Sequence, residues 1–240
     1  IIDNCIGDAD RFQAGRSLHR HDPNSMEFRQ MNIMRDELSE PVLSVIIADE
    51  PEELESIHKP QCAAAIWERK PLPAFQSWID GLNVAALPQA RLILKPHTVR
   101  DAVSAFCDDA GPMNDPMKDL LINDIAALAD VFSGVMKASY VRLRLDVVTD
   151  NACKKFHIDA LTARLVCTYR GTGTQYGIAA HGVPPHQVFT VPTGAPVIIR
   201  GSKYPTSPKS NLLHRSPPIE GTGETRFVLV LDPVFTPDED

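Results

Sequence analysis

Three residues of this sequence have the types and spacing to share one metal ion. His157 and Asp159 are separated by a single position in FHID, so on an extended chain their side chains leave the same face. His214 lies far downstream in LLHRSPP, where a chain that has crossed several strands can return to the same end of a β structure. Two neutral imidazoles and one carboxylate on one face of an octahedron leave three positions open. That arrangement suits non-haem Fe(II), where oxygen and a bidentate cosubstrate must both reach the metal. His157, Asp159 and His214 are therefore the expected metal ligands and catalytic residues. A sealed zinc site needs a fourth protein ligand. Cys153 and Cys167 are near enough in sequence to supply one, so a cupin-like zinc-binding protein without oxidation chemistry stays open as the alternative.

A fourth residue extends the pattern. Arg226 opens the apolar run RFVLVLD shortly after His214, and a strand there running beside the His214 strand would put the guanidinium inside the structure, beyond the metal. A buried arginine needs an anion, and its planar fork takes a carboxylate with two parallel bonds. Val228 and Val230 share its face, with Phe227, Leu229 and Leu231 on the other, so an ordinary wet surface is not expected there. The plain competitor is an ion pair with Glu220, Glu224 or Asp232. RGTGT at 170–174 follows one candidate strand and precedes another, with no Lys and no helix start, and so reads as a hairpin turn rather than a phosphate cradle. His181 and His186 flank a Gly/Pro loop and read as solvated, while Trp67 and Trp78 read as core.

The elements that must position these residues fall into two stretches. Over 41–137 the pattern is mixed. PVLSVIIADE, AAAIW and QARLILK are strand candidates, and PAFQSWIDGL, TVRDAVSAFCDDAG and PMKDLLINDIAALADVFSGVM have helical spacing. In the last of these, Leu120, Leu121, Ile125, Leu128, Val131, Phe132 and Val135 make one apolar stripe that should pack on a sheet. From 138 to 240 short strands alternate with Gly, Pro and Asn turns: YVRLRLDVV, the stretch around KKFHID, ARLVCTY, QYGIA, QVFTV, APVIIR, LLHRS and RFVLVLD. The expected fold class is α+β, with a C-terminal double-stranded β-helix (a jelly-roll or cupin-like barrel) as the metal-binding domain. A mixed supporting region at 41–137 packs on it, and 1–40 is a partly irregular arm.

Composition narrows the function classes. A 240-residue chain with 43 % hydrophobic content can bury a proper core, and a net charge of -7 without any Lys/Arg run argues against nucleic acid as a partner. No apolar stretch is long enough to span a bilayer, no signal peptide is evident, and five scattered cysteines without a CxxC pair fit a reducing compartment. The chain thus reads as soluble and cytoplasmic. A small molecule or a protein side chain is the expected substrate; the oligomeric state is not legible.

HxD, a distant His and a following Arg at the head of a last strand resemble the motif of the Fe(II)/2-oxoglutarate-dependent dioxygenases, prolyl-hydroxylase-like members in particular. The resemblance runs through VRLRLDVVTDNACKKFHID, ARLVCTYRGTGTQY, VPTGAPVIIRG and HRSPPIEGTGETRFVLVLD, or roughly residues 140 to 233. It implies Fe(II) on His157, Asp159 and His214 and 2-oxoglutarate with its far carboxylate on Arg226. It also implies hydroxylation or demethylation of a substrate at the barrel mouth. Those enzymes usually carry a cosubstrate-binding Tyr on the strand before HxD, where this sequence has Leu145 to Val148; the role then falls to Tyr169, Tyr140 or Arg144, or is absent. DNACKKFHIDALTARLVCTYRGTGTQY and LLHRSPPIEGTGETR also resemble an uncharacterised bacterial family known as a domain of unknown function, a likeness that reaches into the N-terminal half.

Overall fold

The computed structural model describes residues 44–109, 116–179 and 183–236. The arm at 1–40 and His181 lie outside these residues. Among the described residues, ten strands form two sheets. The larger has seven strands in the order β1 (Ser44–Ala48), β2 (Cys62–Trp67), β8 (Pro196–Arg200), β5 (Ala163–Arg170), β10 (Arg226–Val234), β4 (Tyr140–Val148) and β3 (Ala90–Leu94). Every neighbour pair in it is antiparallel except β1 with β2. The smaller sheet orders β7 (Phe189–Thr190), β6 (Gln175–Ile178) and β9 (Leu212–Arg215). Three helices, α1 (Pro73–Gly81), α2 (Val99–Asp109) and α3 (Pro116–Met136), complete the mixed α/β architecture.

Period two along the central strands decides what each face meets. On β4, β5 and β10 the residues Leu143, Leu145, Leu165, Cys167, Phe227 and Leu229 join the main core with the helices. Their neighbours Val166, Val228 and Val230 join a second core with Val197, Ile199 and Leu212, against which Tyr176 of the smaller sheet also packs. Both faces of β5 and β10 are thereby buried, as their unbroken branched apolar sequences require. Along α3, Leu121, Ile125, Leu128, Phe132 and Val135 are buried and pack the helix across β10 and β4. Leu120, expected in the same stripe, lies at its edge and is exposed. Lys137, at φ 52, closes the helix in the left-handed conformation and turns the chain into β4.

AAAIW forms an interior strand as expected, and with β1 and β3 it joins the sheet that carries β4, β5 and β10. One expectation needs correction. The stretch around KKFHID forms no strand. His157 makes a single bridge to His214, and the rest of the segment is irregular. No helix among the described residues is long and apolar enough to cross a membrane.

Candidate metal centre

Two main-chain hydrogen bonds create the cluster. His157 and His214 exchange N–H···O bonds of 3.0 Å in both directions, which fixes the two backbones side by side and sets their rings 4.6 Å apart between centroids. β9 holds His214 by pairing Leu213 and His214 with Gly177 and Tyr176 of β6. The irregular segment carrying His157 is tied down nearby, where Ser216 N–H donates to the Cys153 carbonyl and Asn151 bridges the backbone of Ile219 and the carboxylate of Glu220.

Asp159 is held from below. Gly201 N–H donates to the Thr162 carbonyl and Ser202 N–H to the Asp159 carbonyl, and a Cβ at position 201 would lie 2.0 Å from the Leu161 carbonyl oxygen. Only glycine lets these backbones approach so closely. We expect Gly201→Ala to push the Asp159 loop off its site and weaken divalent-metal binding by about 10- to 100-fold. Mn(II) titration by electron paramagnetic resonance measures it, and an unchanged affinity would mean that the loop is not set by this contact.

With the loop in place, one ligand atom from each of His157, Asp159 and His214 falls within 4.8 Å of the others. Nε2 of His214 lies 3.1 Å from one Asp159 oxygen, and Nε2 of His157 lies 3.6 Å from the other. Oδ2 of Asp159 is buried and, despite its nearness to the imidazole, is not aligned to accept a hydrogen bond. Nδ1 of His214 is also buried without a partner. The carbonyl of Lys155, 2.8 Å from Nδ1 of His157, can only accept, so Nδ1 carries the proton and Nε2 presents its lone pair to the cluster in the neutral ring. An open, oxygen-and-nitrogen donor set with an orphaned carboxylate oxygen fits a divalent cation.

Arg164, on β5, is the functional neighbour that reading the sequence missed. Its guanidinium is 2.7 Å from Oδ1 of Asp159 and bidentate on Asp232 at 2.6 and 2.9 Å. Arg164 shares the β5 face of Val166 and Thr168, and its closeness in sequence to Asp159 was the available signal. Burial by itself would raise the Asp159 carboxyl, but the contacts with His157 and His214 and the positive charge of Arg164 outweigh it and hold the group well below the usual carboxylate range. The Asp159 contact raises His157 above its ordinary value, against the opposing pull of burial.

That rise has a definite sign. A histidine whose folded pKa is raised contributes stability that is complete below about pH 6.5 and disappears as the pH rises through the folded value. In metal-free protein, the stability gap between wild type and His157→Gln should therefore be widest in mild acid and narrow towards alkaline pH. Urea unfolding across that range reads it, and a gap that widened with pH would reverse the assignment.

The cluster opens into a cavity of about 130 Å³, with Arg144, Cys153, Val166, Thr174, Arg226 and Val228 in its wall. Arg226, at 2 % exposed, gives its Nε–H to the Thr172 carbonyl at 2.6 Å and reaches the Thr168 hydroxyl at 3.4 Å. No carboxylate among the described residues forms a salt bridge with it. Glu224 bonds the Thr172 backbone and hydroxyl instead, and Asp232 is held by Arg164. Burial, only partly opposed by Glu224, pulls the Arg226 guanidinium down to about 10. RGTGT, expected as a hairpin turn, instead carries the chain from β5 in the larger sheet to β6 in the smaller one, since the two strands do not pair, and its Thr172 carbonyl accepts the Arg226 hydrogen bond.

Tyr169 does not share this cavity. It sits one position out of phase with Thr168, on the helical side of the sheet, and donates its hydroxyl to Asp124 of α3 at 2.7 Å. Its expected part in binding a cosubstrate is corrected accordingly. Cys167 is on the same far face, beside Arg69, and burial pushes its thiol up to about 12. Cys153 lines the cavity, but no fourth His, Cys, Asp or Glu among the described residues joins the cluster. Arg144 lines the cavity too. Tyr140 starts β4 at the opposite end from Val148 and is not in the cavity wall.

Comparison with known proteins bears on fold and family. The model of a family described as protein of unknown function, DUF1826, matches residues 48–232. Among solved structures, a dioxygenase for auxin oxidation from Arabidopsis thaliana, in complex with 2-oxoglutarate, aligns with a TM-score of 0.52 at 10 % identity, covering 82 % of this chain and 94 % of that one. The rice dioxygenase for auxin oxidation aligns at 0.46 and 12 % identity over 80 % and 83 % of the two chains. A 2OG-Fe(II) oxygenase family oxidoreductase from Burkholderia pseudomallei aligns at 0.39 and 12 % over 80 % and 98 %. At such identities it is the fold that is similar, and of the three the Arabidopsis enzyme carries that likeness. The His157, Asp159 and His214 cluster resembles the facial triad of Fe(II)/2-oxoglutarate-dependent enzymes. Curated proteins yield no match.

Proposed function

Because the chain belongs to the DUF1826 family of proteins of unknown function, its activity has to be read from its own site, and we propose that it is an Fe(II)- and 2-oxoglutarate-dependent oxygenase. In this reading the two sheets are the halves of a double-stranded β-helix, and the substrate is a small molecule or a protein side chain. The observation that carries it is an open His157, Asp159 and His214 cluster beside a cavity whose wall also holds Arg226, buried and without a salt bridge to any carboxylate among the described residues. A structural cation site has no use for a buried unpaired guanidinium, whereas a cosubstrate with a carboxylate at each end needs both features.

Each protein group then has a separate task. His157 and His214 offer lone pairs and Asp159 a negative charge; the Lys155 carbonyl fixes the His157 tautomer. Arg164 is a positioning residue that occupies one oxygen of Asp159 and leaves Oδ2 for the metal. Arg226 and the Thr168 hydroxyl would receive the far carboxylate of 2-oxoglutarate. Val148, Val166, Val228 and Val230 supply the apolar part of the cavity wall and would limit water beside the reacting atoms. When bound, Fe(II) would let O2 take four electrons, two from 2-oxoglutarate as it becomes succinate and CO2 and two from a substrate C–H bond, with one oxygen atom entering succinate and the other the substrate, giving hydroxylation or, where the hydroxylated methyl then leaves as formaldehyde, demethylation.

Anaerobic addition of Fe(II) and 2-oxoglutarate to the full chain should produce the visible absorption band of their chelate, and admission of oxygen should yield succinate. Tight Zn(II) binding with neither band nor succinate would instead favour a metal-binding protein without oxidation chemistry. Cys153 in the cavity wall is the one observation on that side.

A further inference from the structure

Arg164 meets two carboxylates with different parts of one guanidinium. Its Nε and Nη2 edge forks onto Asp232, at 2.6 Å to Oδ1 and 2.9 Å to Oδ2. The remaining nitrogen, Nη1, lies 2.7 Å from Oδ1 of Asp159. Oδ2 of Asp159 is buried and has no hydrogen-bond partner among the described residues. Asp232 itself is 5 % exposed and stands outside the cluster of His157, Asp159 and His214.

Strand pairing produces the fork. Leu165 of β5 is opposite Leu231 of β10, so the next residues along, Arg164 and Asp232, stand side by side on the face that carries Val166, Val228 and Val230. Arg144 of β4, itself opposite Arg91 of β3, approaches Asp232 at 3.7 Å without displacing that fork. A bidentate bond fixes both the plane and the direction of a guanidinium. Asp159, brought up by its irregular loop, therefore meets a single nitrogen of Arg164. Charge points the same way. Asp159 and Arg164 alone sum to zero, whereas with Asp232 the three keep one negative charge beside the imidazoles.

We infer that Asp232 is a positioning residue for the metal centre: by holding the Nε and Nη2 edge of Arg164, it stops this guanidinium from turning onto both oxygens of Asp159 and so keeps Oδ2 free for a divalent cation. This role rests on the metal-centre reading and is independent of the oxidation chemistry. Without the Asp232 carboxylate, a buried guanidinium would be left with Asp159 as its main partner and would compete with the cation for it.

Mn(II) titration of the full chain by electron paramagnetic resonance tests the role. Asp232→Asn should bind Mn(II) about 10- to 100-fold more weakly than wild type, the range found when a ligand loses its supporting partner. The same change made in Arg164→Gln should alter Mn(II) affinity by less than about twofold, since no guanidinium is left to turn on Asp159. A carboxylate that merely braced β10 against β5 would weaken both backgrounds alike, and that result would overturn the role. Circular dichroism shows whether each variant is folded. Should Asp232→Asn not fold, wild type with Zn(II) bound serves instead. Nuclear magnetic resonance of labelled arginine should show the Arg164 Nε–H, identified by its loss in Arg164→Gln, protected from solvent exchange by Asp232; free exchange would count equally against the role. Mn(II) that fails to bind wild type sinks the metal reading and this role with it, whereas Mn(II) bound as tightly by Asp232→Asn as by wild type sinks this role alone.

Discussion

Asp159→Ala yields a folded protein that binds Mn(II) at least about 100-fold more weakly and makes no succinate from 2-oxoglutarate. Two imidazoles alone cannot supply the negative charge that a hard divalent cation requires, and no neighbouring carboxylate can replace it because Asp232 is engaged by Arg164. The fold survives because Asp159 lies in an irregular loop and Arg164 keeps its bidentate partner when the carboxylate goes. Asp159 has a depressed pKa, so its contribution to metal-free stability is present above about pH 3.9 and is lost only as the pH falls towards the folded value. Wild type and variant should therefore converge in stability only in strong acid. Paramagnetic resonance of Mn(II), circular dichroism and succinate assay together check the prediction; undiminished Mn(II) affinity in the variant would end it.

Arg226→Met separates binding from stability in a way a purely structural arginine cannot. We expect the 2-oxoglutarate requirement to rise by about 100-fold, on the scale of losing a charge-assisted bidentate contact. Metal-free stability should hold or increase. Lowering a buried guanidinium to about 10 corresponds to an unfavourable burial of about 3 kcal/mol, which offsets the roughly 1.5–3 kcal/mol lost with the charge-assisted Thr172 hydrogen bond. The sign follows from linkage. Between the folded value of about 10 and the ordinary one the unfolded chain holds the extra proton, so stability rises with pH there and the full penalty operates at neutral pH. In wild type, 2-oxoglutarate should raise the melting temperature in the presence of Mn(II), and in Arg226→Met it should not. Matching 2-oxoglutarate requirements would assign the carboxylate to another residue.

How much of this the amino-acid sequence reveals depends on whether one face or two are buried. His157, Asp159 and His214 could be singled out because their chemistry does not depend on strand register. The strands β4, β5 and β10 were equally plain, since branched apolar runs of that length have few other fates. Parity was the weak point. On β5 both faces are buried, so nothing local distinguishes the side of Tyr169 from that of Thr168 or Arg164. Asp124, which captures the Tyr169 hydroxyl, comes from a helix far off in sequence. The Arg91 and Arg144 juxtaposition was equally hidden, because it exists only in the β3–β4 register.

The reciprocal backbone bonds between His157 and His214 carry an implication for how such a protein can diversify. The spacing of the two rings is written in main-chain geometry, which no side-chain replacement elsewhere in the wall can alter. Positions such as Ala152, Val148 and Arg215 are consequently at liberty to change size or polarity while the donor atoms stay put. A lineage, or an engineer, can retool what enters the chamber without reopening the question of where the metal goes.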